Sequence, residues 1–312
     1  MINCVCGIRS TGRICTDLAQ MLENEGHEVK IAYGRVDEVP EKLQKYAVRI
    51  GNEFGIRLHA VQSRLLDDHG WGSYHATKSF LKWAEEFDPE IVWLHNIHGY
   101  YIHVELLFQW LEKRNQKTYW TLHDCWSFTG LCPHFVGYQC EKWINGCYDC
   151  QRCKSAKYPL IDMTKLTWKR KKRIHTLPEN VCLVTPSRWL AELTRESFLA
   201  KYPVKVINNG IDLNVFKPVS SEFRKKYGYS DTDKIIMGVG LYIERKGIVD
   251  FVELAKRMPE YKFIWFGYSP LAAATKPVRD AVNTKLDNLT FAGYVERDVI
   301  RGAMNGCDLY LF

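Results

Sequence analysis

Six of the chain's eleven cysteines fall in the stretch HDCWSFTGLCPHFVGYQCEKWINGCYDCQRC, residues 123–153. Cys132, Cys140, Cys147 and Cys150 are separated by seven, six and two residues, and the last pair is the CxxC knuckle that closes a tetrahedral thiolate site for zinc. Cys153 extends the run to a second CxxC, and His134 is a substitute ligand. The segment is poor in aliphatic residues, so a structural zinc would supply order that a hydrophobic core does not. Reduced thiols, or redox and disulfide chemistry, are the alternatives the spacing leaves open. Four thiolates would fill the coordination sphere, which makes such a site structural and not catalytic. The remaining Cys4, Cys6, Cys15, Cys182 and Cys307 stand singly among apolar neighbours and read as small buried hydrophobes.

A second chemical feature is charge. The formal net charge is +7, and TKLTWKRKKRIH (164–175) holds six basic residues, with Lys169, Arg170, Lys171, Lys172 and Arg173 consecutive. Such a run is either the solvated face of a surface helix or a contact for an anionic membrane surface or acidic substrate, at about 1 kcal/mol per basic group near a membrane. No nucleic-acid-binding signature accompanies it, so nucleic acid is not an expected partner. No apolar run approaches the roughly 18 residues of a membrane span, and Arg9 and Arg13 interrupt the place where a signal peptide would be apolar. The expectation is a cytoplasmic protein, peripheral at the inner face of the cell membrane if the basic run contacts lipid, with its thiols reduced.

These groups need elements to hold them. Residues 2–8 read as a strand, STGR as a small-residue turn, 14–26 as an amphipathic helix and 27–33 as a second strand. That βαβ opening begins a doubly wound parallel sheet. Helices over 73–87 and 102–114, strands over 90–96, 118–124 and 180–187, and a helix over 188–200 continue the alternation. At 204–218 the pattern breaks into turn residues, and a second βα series follows: strands 234–240, 261–267, 288–295 and 308–312, with helices 247–258 and 296–307. The expectation is an α/β chain of two tandem Rossmann-like doubly wound domains, 1–203 and 204–312, with a cysteine-rich insertion at 125–153. Their strand ends would line a ligand cleft.

Five ordered stretches, STGRI followed by GHEV, WTLHDCWSFTG, TPSRWL, VINNGIDLNVFKP and GVGLYIERKGIVDFVELA, resemble the retaining, nucleotide-sugar-dependent glycosyltransferases of family 4, which have the GT-B architecture. The likeness is greatest to bacterial enzymes of exopolysaccharide, capsule or lipopolysaccharide synthesis. The resemblance implies transfer of a sugar from a UDP- or GDP-sugar donor to a glycan or lipid-linked glycan, with no metal needed for catalysis.

It also implies roles for particular residues. Arg245 and Lys246 would place cations over the donor diphosphate, whose charge grows as the glycosidic bond breaks, with Gly247 and the following helix N-terminus adding backbone N–H groups. Where many members carry a further Arg, this chain has Leu241, so Arg245 takes that work. His123 resembles the histidine that contacts the transferred sugar, and Asp124 beside it either orients an acceptor hydroxyl or caps the next turn. Ser10, Thr11, Gly12 and Arg13 offer a phosphate or acceptor loop, or only a structural turn. His95 and His98 end another strand at the same face, with a structural role favoured.

The family's pair of glutamates eight positions apart, which grips donor ribose and sugar, does not follow CDLYLF. The second domain is therefore expected to be incomplete and the chain weakly active, with a catalytically incomplete fragment or inactive relative serving as a binding protein as the alternative function.

Overall fold

The computed structural model describes residues 1–35, 38–156 and 159–312, and these fall into two compact units, Met1–Asn209 and Gly210–Phe312. In the first unit the elements are α1 (Arg9–Asn24), β1 (Ile31–Tyr33), β2 (Ala47–Arg49), α2 (Glu53–Leu66), α3 (Tyr74–Phe87), β3 (Val92–Leu94), α4 (Val104–Lys113), β4 (Thr118–Thr121), α5 (Gln151–Ala156), α6 (Thr164–His175), β5 (Val181–Thr185), α7 (Arg188–Glu196) and β6 (Val204–Val206). Strands β3-β4-β5-β6 pair in parallel, as do β1 and β2. Ile2 joins the two sets through single parallel bridges to Ala32 and Leu94.

The opening strand expected over 2–8 is reduced to that bridge. Fully buried Asn3 explains the early exit, because its amide donates to Val5 O at 2.8 Å and its Oδ1 accepts Asn96 N at 3.2 Å, side-chain bonds that compete with a continued ladder. Helix α1 then starts at Arg9, so Ser10, Thr11, Gly12 and Arg13 form its first turn and not a free loop. Gly12 is needed there: a Cβ would lie 3.0 Å from Val5 Cγ2 and 3.2 Å from Val5 O. The helix buries Gly12, Cys15, Thr16 and Ala19, one face at helical spacing.

Residues 204–206, expected as turn, form β6 against β5, which carries the first unit to Asn209. The cysteine-rich segment has a core after all, and it is aromatic. Trp126, Phe128, Phe135 and Trp143 are buried in the main cluster, and Trp168 Nε1 donates to Trp143 O at 2.8 Å.

The second unit contains α8 (Phe223–Tyr227), β7 (Ile235–Val239), α9 (Ile248–Arg257), β8 (Lys262–Phe266), α10 (Lys276–Val282), β9 (Leu289–Gly293), α11 (Arg297–Gly306) and β10 (Leu309–Tyr310), with parallel strand order β10-β7-β8-β9. Alternation along its strands feeds two cores. Ile236, Phe263 and Trp265 pack with Ile248 and Phe251 of α9, while Ile235, Met237, Ile264 and Phe266 pack with Phe223 of α8 and Ala303 of α11. Helices on both faces of a parallel sheet make this unit doubly wound.

Candidate active site

In a parallel sheet the loops leaving the carboxyl ends of the strands are where ligands are held. In the first unit, β3 delivers His95 and His98 to that edge, and β4 delivers His123 and Asp124. His95 Nδ1 and His123 Nε2 are 3.0 Å apart, and their rings stack at 5.3 Å and 16°. Burial pushes the His123 imidazole down to about 4 and, with His123 adding to it, holds His95 well below its usual value, so both rings are neutral at pH 7. His95 Nε2 is buried with no hydrogen-bond partner. A bare lone pair is tolerated there better than an orphaned N–H, which assigns the shared proton to His95 Nδ1 and leaves His123 with its N–H on Nδ1. Among the described residues that Nδ1 has no partner, so His123 offers a hydrogen-bond donor.

Asp124 is spoken for. Its Oδ1 accepts Trp126 N at 2.9 Å and its Oδ2 lies 2.9 Å from His98 Nε2. Burial pushes the carboxyl up, but His98 and the Trp126 N–H more than offset this and hold it below its usual value. Of the two roles offered by the sequence, capping the turn is the one the geometry displays. The Trp126 ring then packs on His98 (5.3 Å) and His69 (5.3 Å), and His69 Nε2 accepts Gly99 N at 3.1 Å.

Beneath this edge lies a residue that the sequence placed on the surface. Lys171 is fully buried and its ammonium donates to Trp126 O (2.8 Å), Thr129 O (3.0 Å) and Gly130 O (3.4 Å), standing 3.4 Å over the Trp126 ring. Helical spacing explains the correction: Thr164, Thr167, Trp168, Lys171, Ile174 and His175 form the inner face of α6, so one lysine of the basic run must point inward. Lys169, Lys172 and Arg173 stay exposed, and Arg170 is half-buried beside Asp68. The nearby Asp67 is buried with neither oxygen hydrogen-bonded, and burial pushes its carboxyl up to about 8, while burial brings Lys171 down to about 7. Nothing in the local sequence singled out Asp67 or His69. The α6 period could have singled out Lys171.

The thiols are arranged differently from the expected four-sulfur set. Cys150 is hydrogen-bonded with both Cys132 and Cys153, which favours its thiolate and raises the other two thiols, while Cys147 Sγ accepts Gly130 N at 3.1 Å. The donors are of the right chemistry for zinc. Among the described residues, however, no group of three or more His, Cys, Asp or Glu side chains converges to hold a metal ion. Of the α1 residues, Thr11 accepts Asn3 Nδ2 at 3.4 Å, and Ser10 and Arg13 are exposed.

In the second unit the ends of β7 and β8 approach closely. Gly267, at φ +119°, carries no Cβ because one would lie 2.1 Å from Gly240 O. Exposed Arg245 and Lys246 sit in the 3-10 turn Glu244–Lys246, and Gly247 (φ +76°) leads into α9. The Lys246 stem lies over Gly240, where a Cβ would be 3.1 Å from Lys246 Cβ. Among the described residues neither the Arg245 guanidinium nor the Lys246 ammonium has an ion-pair partner.

The sequence profile of Glycosyltransferase Family 4 matches residues 11–215, a stretch that contains the whole histidine edge. The chain belongs to glycosyltransferase family 4. A processive diacylglycerol alpha-glucosyltransferase of Acholeplasma laidlawii is 38% identical over 133 residues, 42% of this chain and 40% of that protein, so the match spans less than half of the relative's length. Among solved structures, the sucrose-phosphate synthase of Thermosynechococcus elongatus covers 99% of this chain and is covered over 73% of its own, at 16% identity and TM-score 0.66. The solved structure of Anabaena HepE, in complex with UDP and glucose, covers 99% of this chain and is covered over 72%, at 13% identity and TM-score 0.57. At such identities these likenesses show the fold, the two-domain Rossmann-like GT-B architecture of this family.

Proposed function

We propose that the chain transfers a sugar, with retention, from a nucleotide diphosphate donor to a lipid-linked or glycan acceptor. The observation that carries the reading is the neutral His95–His123 pair at the carboxyl ends of two central strands, inside the segment that matches the family. A neutral His123 whose free nitrogen is a donor suits a hydroxyl of the transferred sugar, because it can bind without adding a charge near the breaking bond. Asp124, fixed by His98 and Trp126 N, positions the turn and holds His98.

In the second unit Arg245 and Lys246 are assigned to the diphosphate. Their charges gain most when the leaving group's negative charge is complete, which is the condition for lowering a barrier. Gly247 keeps the α9 N-terminus open beside them. The Acholeplasma relative's name, a diacylglycerol glucosyltransferase, supports a lipid acceptor and the Anabaena title supports UDP. A structural zinc on Cys132, Cys140, Cys147 and Cys150 belongs to the same proposal and requires Cys140 and Cys147 to turn onto Cys150. Metal analysis of protein purified without chelator decides it.

The test of the main reading is calorimetric titration with UDP and GDP. One of them should bind, and Lys246→Ala should weaken it by about 1.5–3 kcal/mol, the scale of a hydrogen bond to a charged group. No affinity for either nucleotide, or equal affinity in the variant, would refute the assignment.

A further inference from the structure

Helix α2 is amphipathic the wrong way round for a soluble domain. Phe54, Leu58, Val61 and Leu65 recur at helical spacing and are exposed to 76%, 58%, 55% and 45%, whereas His59 and Ser63 are its buried residues. The stripe continues past the helix. Leu66 is 50% exposed, and the backbone bond from Leu160 N to Arg64 O, at 2.9 Å, sets exposed Leu160 and Ile161 beside the helix end. Beside Phe54 and Leu58 a cleft of about 830 Å³ opens toward α3, lined also by Trp71, Tyr74 and Trp83, so the described residues leave this face open.

The rim is cationic. Lys165 and Lys169 are exposed on α6, which is tied to the end of α2 by Thr167 Oγ1 donating to Asp67 O at 3.3 Å and by Arg170 3.6 Å from Asp68. The acidic groups nearby are engaged. Glu53 pairs with Arg57, and Asp162 accepts Cys150 N (2.6 Å), Thr164 N (3.0 Å) and Thr164 Oγ1 (2.6 Å).

A contiguous apolar stripe of this kind marks an interaction surface. Outward Phe and Leu on one helix, with exposed Lys of the neighbouring helix at its rim, is the pattern of a surface lying in the plane of a bilayer interface, apolar face toward the acyl boundary and cations at the headgroups. We propose that α2 with residues 160–161 docks this protein on an anionic bilayer. The contact differs from the one expected from the basic run, since α6 lends only its exposed lysines and keeps Lys171 inside. The inference stands on this face alone and does not depend on the glycosyltransferase reading.

The test is sedimentation with vesicles of phosphatidylcholine containing about one third phosphatidylglycerol, against phosphatidylcholine alone. The full chain should bind the anionic vesicles and bind the neutral ones about tenfold less or not at all. Phe54→Ser with Leu58→Ser and Val61→Ser should weaken binding about tenfold or more with Tm and nucleotide titration unchanged. Lys165→Glu with Lys169→Glu, changed at exposed positions, should weaken binding to anionic vesicles only, and serves if the triple variant misfolds. Three results overturn the proposal: no binding of the full chain, full binding by both variants, or a wild-type dimer that the serine variant dissociates without any vesicle binding. Nucleotide titration on the same samples separates this outcome from failure of the proposed activity.

Discussion

Replacing Lys171 by Met, in a chain that already carries Asp67→Asn, isolates the titration of one buried ammonium. In the folded protein Lys171 gives up its proton at about 7, against 10.5 in the unfolded chain, because burial disfavours the charged form more than Asp67 and the neighbouring groups favour it. The sign follows. Between those values the unfolded state binds the extra proton, so stability rises with pH through the window and is lowest below about 7. At about 1.36 kcal/mol per pH unit the native window amounts to roughly 5 kcal/mol, and the part between pH 7 and 9 to at least roughly 2 kcal/mol, since Asp67→Asn removes the leading charge that raises Lys171 and leaves it at least half-deprotonated at the start. Methionine keeps the stem's volume and cannot titrate, although it abandons the carbonyls of Trp126, Thr129 and Gly130, a pH-independent loss of about 1–3 kcal/mol. The assay is urea unfolding by tryptophan fluorescence, which reports the first unit because nine of the ten tryptophans lie in 1–209. The stability of Asp67→Asn minus that of Asp67→Asn/Lys171→Met should climb by at least roughly 2 kcal/mol from pH 7 to 9. A flat or falling difference refutes the buried, partly neutral lysine.

Three further predictions come from other parts of the molecule. His123 titrates at about 4 when folded, so the unfolded state binds more protons between about 4 and 6.5. Its share of the stability lost on acidification through that window is about 3 kcal/mol, so the difference in stability between the native chain and His123→Gln should shrink by that amount from pH 6.5 to 4 in the same fluorescence assay. Gly267→Ala would force a Cβ to 2.1 Å from Gly240 O at a backbone angle that disfavours side chains. The second unit should lose more than about 3 kcal/mol, seen as loss of its calorimetric transition, and a normal transition would contradict the close approach of β7 and β8. Cys150, its thiolate favoured by hydrogen bonds from Cys132 and Cys153, should be alkylated by iodoacetamide at neutral pH ahead of Cys147 and Cys125, whose thiols burial raises to about 11 and about 12. Peptide mapping that finds the three labelled together would count against the thiol chain.

The parallel architecture was legible because its signal is redundant. Strands such as 180–187 and 234–240 are apolar on both faces and alternate with helical periods, so several errors of boundary leave the topology intact. What was not legible depends on contacts that cross long distances in the chain. Asn3 ends the first strand by bonding to Asn96, and that partner is named nowhere near residue 3. Helix α2 has an N-cap signal in Asn52, whose side chain accepts Gly55 N at 2.9 Å, but that signal alone does not mark a helix between the strand expected at 27–33 and the helix expected at 73–87. Its apolar residues face outward, so its periodicity points away from any core and does not fix its place in the fold.

The site shows the same division at finer scale. His123 was found because strand β4 and the doubly wound pattern together put residue 123 at the ligand edge, an argument about backbone position that needs no side-chain partner. What His123 can do there depends on its partner: stacked on a buried His95, it is held neutral and made a donor, and a solvated histidine at the same place would titrate near pH 6.5. Lys171 illustrates the reverse error. Five consecutive basic residues suggest a surface, but a helix of 3.6 residues per turn cannot expose all five while it packs on a core. The one turned inward gathers the carbonyls of the loop that follows Asp124, and Trp126, whose ring it supports, is packed against His98. Substitutions at Lys171 should therefore be felt at the His98–Asp124 contact, although residue 171 lies forty-seven positions further along the chain than Asp124 and touches neither histidine of the pair.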